Sequence, residues 1–376
     1  MHIADVELHE LVLPLIEPFI ISGGAITERR SLVVVLRDED GRVGYGESPP
    51  FDRPFYSEET LASARALLAD LLVPRVRGCT VEGPEELDAR LRDGVRGNPF
   101  ARAAIETAAW DLEAARRNTG MAALLAERLG VAAAASVACG VALGIPADRS
   151  LDTLKRWIRE AAALGYRRVK IKIAPGWDAE PVRAAREALA ETSLPLTVDA
   201  NGAYRWPADL ALLEAIDDAG LLYLEQPLAP EELVGHAELG RRLRTPICLD
   251  ETLRNASVAR QVAELDGPRI WNVKVHRMGG LTETLAVWRE AERFGADLWA
   301  GTMPESGVGS QAALAAASLP RFTYPSDLEP SSRWFGRNAD VVKLVMGRDG
   351  RMVVPRQPIA RLLDPARFAA STRRLL

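Results

Sequence analysis

RVKIKI (168–173), PLTVDAN (195–201), LLYLEQP (221–227), PICLDE (246–251) and IWNVKVH (270–276) decide the fold of this chain. Each is a short apolar run that ends in charge. The charges are Lys170 and Lys172, then Asp199, then Glu225, then Asp250 with Glu251, then Lys274. Segments of helical character lie between them, and strands alternating with helices predict a parallel sheet of βαβ units. From Asp199 through Glu225 and Asp250 to Lys274 the steps are each about 25 residues, enough for one strand and its returning helix. A charge at the same end of every unit is a charge at one rim of a barrel, where active sites of that architecture sit. The expected fold is α/β, a modified (β/α)8 TIM barrel.

Working outward, SVACGVALG (136–144) is the expected first strand and ADLWAGTM (296–303) the seventh. RFTYPSDL (321–328) is expected as a last, irregular strand. Upstream, IADVELHELVL (3–13), SLVVVLRD (31–38) and RVGYGESPP (42–50) predict a small antiparallel sheet. EPFIISGGAITERR (17–30) has paired glycines and no period, and is expected as a loop. Helices are expected at Ser57–Leu72, opened by a capping box in SEET, at Pro84–Arg92 and at Asn98–Asn118. In the last, Ala104, Ala108, Ala109, Leu112 and Ala115 form a small-residue face for close packing. Downstream, VVKLVMGRDGRMVVP (341–355) predicts a hairpin around Asp349-Gly350 that packs back on the first domain. The division expected is an α+β domain over 1–130, a barrel over 131–330 and a returning segment over 331–376.

Bulk properties exclude several classes. The chain has 376 residues, 48% of them hydrophobic, and a net charge of −5, so it lacks the basic footprint of a nucleic-acid binder. Cys79, Cys139 and Cys248 are too few and too scattered for a disulfide framework or a zinc motif, which suits a reducing cytosol. MHIADVELHELVLPL carries acids where a signal peptide needs a basic region. VAAAASVACGVALGI (131–145) is too short and alanine-rich to span a membrane and reads as a buried strand. A soluble cytoplasmic protein is expected, with no membrane partner.

Asp199, Glu225 and Asp250 offer three hard oxygen ligands from successive strands, which suits Mg²⁺, with Mn²⁺ as a substitute. Lys170 and Lys172 precede the acids and Lys274 follows them, so around a closed barrel amines approach the pocket from two sides. Lys170 and Lys172, two apart on a strand, point the same way. Two desolvated ammonium groups beside a cation are expected to have lowered pKa values, and such a lysine can remove a proton. The expected chemistry is proton abstraction alpha to a carboxylate, with the metal stabilising the resulting enediolate. Any one of these positions alone is more often a solvated rim residue. The order lysine, three acids, lysine is what separates the set from chance. His276, two past Lys274, is expected either to line the pocket or to be a satisfied rim histidine. Trp271 and Trp299 are expected between barrel and helices, and Cys139 and Cys248 in the core.

These residues carry a family resemblance over almost the whole chain. KIK (170–172), DAN (199–201), EQP (225–227), DE (250–251) and Lys274 resemble the strand motifs of the enolase superfamily, in its muconate-lactonizing-enzyme-like subgroup. GTMPESGVG (301–309), ASLPRFTYPSDLEPSSRWF (317–335), YGESPPFDRPFYSEET (45–60) and Arg277 narrow it to the o-succinylbenzoate synthase / N-acylamino acid racemase group. The resemblance implies a capping domain completed by the C-terminal tail. It implies Asp199, Glu225 and Asp250 as Mg²⁺ ligands and Lys172 and Lys274 as the acid–base pair. Lys170 would tune Lys172 and meet the substrate carboxylate, with Asn201 and Glu251 in support. Ser22, in the 17–30 segment, would cover the pocket, and Met303, Glu305 and Ser306 would border the substrate. Thr302, Pro304 and VHR (275–277) depart from the group's pattern at the substrate border. The first reading of function is o-succinylbenzoate synthase, a dehydration of menaquinone formation. The second is N-acylamino acid racemase, with a muconate cycloisomerase or a non-catalytic carboxylate-binding barrel behind them. A small-molecule carboxylate is the expected partner, in a homo-oligomer.

Overall fold

The structure, a computed structural model, describes residues 1–21, 24–336 and 339–376, and the side chains of 18–25 lie outside that description. Three antiparallel strands open the chain: β1 (Ile3–Ile21), β2 (Gly24–Asp38) and β3 (Val43–Ser48). Ile3, Val6 and Leu8 of β1 and Leu32, Val34 and Leu36 of β2 turn one face onto the helix Pro99–Arg116, building a core separate from the barrel's. The expected 17–30 loop is instead mostly strand, with Phe19 opposite Ile26 and Ile21 opposite Gly24. Its described side chains do not alternate: Thr27 and Glu28 are both exposed, next to buried Arg29, so the signature of a half-buried strand is missing. Ser22 lies outside the described residues.

The helix expected from Ser57 begins later, at Leu61. Thr60, not Ser57, is its N-cap, in a reciprocal capping box with Ser63. The small-residue face of Pro99–Arg116 packs as expected. A Cβ on Gly44 or Gly46 of β3 would overlap the backbone of Ala104 and Ala108, so only glycine lets strand and helix approach this closely.

Eight further strands follow: β4 (Ser136–Ala138), β5 (Gly140–Leu143), β6 (Arg168–Lys172), β7 (Leu196–Asp199), β8 (Leu224–Glu225), β9 (Ile247–Leu249), β10 (Ile270–Val273) and β11 (Asp297–Ala300). β5 to β11 form one seven-stranded sheet in sequence order, parallel throughout. The eighth segment, expected as a strand at 321–328, is not one. It touches the two edges by single parallel bridges, Leu298 to Phe322 and Cys139 to Ser326, and so closes the ring. Its Pro325 lacks the N–H group that a full ladder requires. Outward residues such as Val169, Ile171, Val198 and Leu249 pack on the helices.

The barrel interior holds charge. Arg168, wholly buried, reaches Asp327, Thr197 and the Pro325 carbonyl, with its guanidinium 5.0 Å from the Trp299 ring centre. Trp299 clusters there with Tyr223, Cys248 and Ile270, not between barrel and helices as expected, whereas Trp271 does join the outer core. The 341–355 hairpin is present, with Met346 opposite Met352. Its second arm, β12 (Arg351–Val353), pairs with β4 at the start of the barrel rather than with the first domain. The chain's return comes later, where β13 (Thr372–Arg374) adds to β1 and completes a four-stranded cap sheet.

Candidate active site

Lys172, Asp199 and Glu225 are the last residues of β6, β7 and β8, and Asp250 and Lys274 come directly after β9 and β10. The sheet order sets the acid-bearing strands side by side, with Lys172 on one flank and Lys274 on the other. Asp199, Glu225 and Asp250 each present a carboxylate oxygen, all within 4.8 Å of one another, and all three are buried.

Amines hold these acids. Lys170 Nζ donates to Glu225 (2.9 Å) and Asp327 (2.7 Å) and lies 3.6 Å from Asp199. Lys172 Nζ donates to Asp199 Oδ2 and Asn201 Oδ1, both at 2.6 Å. Lys274 Nζ donates to Asp250 Oδ2 (2.9 Å) and the Tyr56 hydroxyl (2.8 Å), and Arg277 grips the other Asp250 oxygen. Asn201 links Lys172 to Glu251 through a 2.8 Å bond.

The electrostatics follow from burial and from these pairs. Burial and the Asp199 charge push the Glu225 carboxyl up to about 8, and burial beside Asp250 pushes Glu251 up to about 7. Burial would raise Asp250, but Lys274 and Arg277 outweigh it and hold it well below the usual range. Lys170 reverses the expectation from sequence. Burial lowers it, yet Asp327, Glu225 and Asp199 together hold the ammonium well above its ordinary value. Lys274 is likewise held up by Asp250. For Lys170 the carboxylates outweigh both burial and the like charge of Arg168.

A cleft of about 570 Å³, part of it open to solvent, lies over this group. It is lined by Lys170, Lys172, Asp199, Asn201, Lys274 and Met303, with Phe51 and Tyr56 from the cap and Asp327, Glu329 and Trp334 from the closing segment. Glu305 and Ser306 sit behind its wall. Ser306 caps the helix Gly307–Ala317 and donates to Glu47 at 2.6 Å, and Glu305 Oε1 lies 2.9 Å from His276 Nδ1. His276 belongs to the short helix Val275–Met278, not to the face of β10, and is fully buried rather than on the rim.

Sequence reasoning missed Tyr56, Asp327 and Glu47. Tyr56 lies in a loop with no periodic signal, and burial pushes its hydroxyl up to about 12. Asp327 had a signal, an acid near the end of the eighth segment, matching the other units. Glu47 accepts from Ser306 and Gly309 across 259 and 262 residues, a separation that no local pattern reveals.

Residues 4–126 match the family model described as mandelate racemase / muconate lactonizing enzyme, N-terminal domain, and residues 153–358 match enolase C-terminal domain-like. An N-succinylamino acid racemase of Thermus thermophilus is 43% identical, covering 94% of this chain and 93% of its own. An o-succinylbenzoate synthase of Geobacillus stearothermophilus is 39% identical, covering 90% and 87%. The crystal structure of an enolase superfamily member from Enterococcus faecalis V583 superposes with a TM-score of 0.89 at 34% identity, covering 100% of this chain and 98% of that one. Among the described residues no helix is long and apolar enough to cross a membrane.

Proposed function

Because this chain belongs to the enolase superfamily, in its mandelate racemase / muconate lactonizing enzyme branch, we propose that it removes the proton alpha to a substrate carboxylate, with Lys172 and Lys274 as the acid–base pair. One observation carries the reading. The two amines line one cavity from the strands that flank the three acids. A site that only bound a carboxylate would need a cation, not amines on both sides of it.

Enzymes of this superfamily use a divalent metal. We propose Mg²⁺, with Mn²⁺ as a substitute, held by Asp199, Glu225 and Asp250, whose buried oxygen set suits a hard ion. Such an ion supplies positive charge where negative charge develops on the substrate carboxylate. Lys172 Nζ, which lines the cavity beside Asp199, is the proposed base. Asn201, bonded to both Lys172 and Glu251, fixes the direction of the amine.

The first reading of the outcome is dehydration to o-succinylbenzoate, with Lys172 as base and Lys274 as a cation across the intermediate. The second is racemisation of N-succinylamino acids, favoured by the name of the 43% identical relative. The cytoplasm is the compartment we propose, in keeping with the free thiols of Cys79, Cys139 and Cys248, and a homo-oligomer the assembly. Incubation with Mg²⁺ in D₂O separates the readings by NMR. Dehydration yields an aromatic product, racemisation exchanges the α-proton and inverts the centre, and a chain that does neither is no enzyme of this kind.

A further inference from the structure

Glu329 is buried at 6% exposure, lines the active cavity, and is used by none of the chemistry above. Its Oε1 accepts from the Ala142 amide at 3.2 Å. Its Oε2 meets no hydrogen-bond donor among the described residues; Arg333 Nε, 3.4 Å away, offers charge without a hydrogen bond. A buried carboxylate oxygen left without a donor is costly, and such atoms in a binding cavity are commonly completed by the ligand. The position is informative. Ala142 stands opposite Lys170 in the β5–β6 register, so Glu329 lies on the β6 side of the cavity, which Lys172 also lines.

We infer that Glu329 is a specificity-determining residue of this site, its open Oε2 accepting a hydrogen bond from an N–H group that the substrate carries beside the reacting carbon. This rests on the α-proton chemistry proposed above and deepens it. The dehydration product carries no nitrogen, so the racemisation reading gains from Glu329. Burial pushes the Glu329 carboxyl up to about 7, so above neutral pH it is an anionic acceptor and a bare anion at this wall would face its charge.

The test compares two isosteric probes, N-succinylphenylalanine and O-succinylphenyllactate, in which an ester oxygen replaces the N–H. Both are followed by α-proton exchange in D₂O with Mg²⁺ and by calorimetric binding. The wild-type protein is expected to favour the amide by at least about ten-fold in kcat/KM and in affinity, the scale of a hydrogen bond to a charged acceptor. In Glu329→Leu the amide-to-ester ratio falls about ten-fold, and Glu329→Gln, which keeps an acceptor, restores most of it. Equal handling of the two probes by the wild-type protein overturns the inference without need of a variant. An unchanged ratio in a folded Glu329→Leu protein does the same. Glu329-dependent preference in binding without any exchange would uphold the role of Glu329 and remove the proton-abstraction reading instead.

Discussion

Lys170, Lys172, Lys274 and Arg277 pair with the three buried carboxylates, and this pairing governs what single substitutions do. Replacing Lys172 by Ala should lower α-proton exchange about 10²–10⁴-fold, the usual contribution of a positioned base, while substrate binding by calorimetry changes little. Retained exchange assigns the base elsewhere. Asp250→Asn should weaken Mg²⁺ binding by calorimetry and also loosen Lys274 and Arg277, which lose their shared counter-charge. The lysines and acids were legible in the sequence because each stands at the end of an apolar run. Tyr56 and Glu329 were not, since the first lies in a loop and the second in a segment whose strand character is broken by proline.

At the scale of elements, buried acids tie the cap to the barrel by accepting from helix N-termini. Glu106, on the cap helix Pro99–Arg116, accepts from Leu281 and Thr282 at 2.8 and 2.7 Å, where the helix Leu281–Phe294 begins. Glu47 does the same for Gly307–Ala317. Gly46→Ala should destabilise the protein by about 1–3 kcal/mol or more through forced separation of β3 from its helix, read as a lowered denaturation midpoint. An unchanged midpoint would show that the helix shifts at no cost. The parallel strands were readable to within a few residues, since burial leaves continuous apolar runs. The extended hairpin at 17–30 was not, because exposed backbone pairing writes no hydrophobic pattern.

For the whole molecule, burial of such acids makes stability depend on pH. Burial pushes Glu106 and Asp111 up to about 7, above their ordinary carboxylate values. A folded state that holds protons more tightly than the unfolded one is favoured at low pH, so this contribution is present below about pH 4.5 and is lost as pH rises through 7. Glu106→Gln removes the titration. Between pH 5 and 8 the wild type should lose about 2–3 kcal/mol relative to that variant in chemical denaturation. Parallel curves would mean that Glu106 titrates normally. The ring was foreseeable from the alternation of elements, and the return of the C-terminal tail to the cap from the family resemblance, but not that β13 makes the pairing, because its register with β1 spans most of the chain.

The strand β13 pairs with β1 across the whole barrel sequence, residue 374 against residue 9. During synthesis on the ribosome, β1 therefore waits for a segment that emerges 365 residues later. Until then its outer edge stays open, a row of unpaired backbone groups that invites neighbouring nascent chains. The later that segment arrives, the longer the edge is free to find the wrong partner.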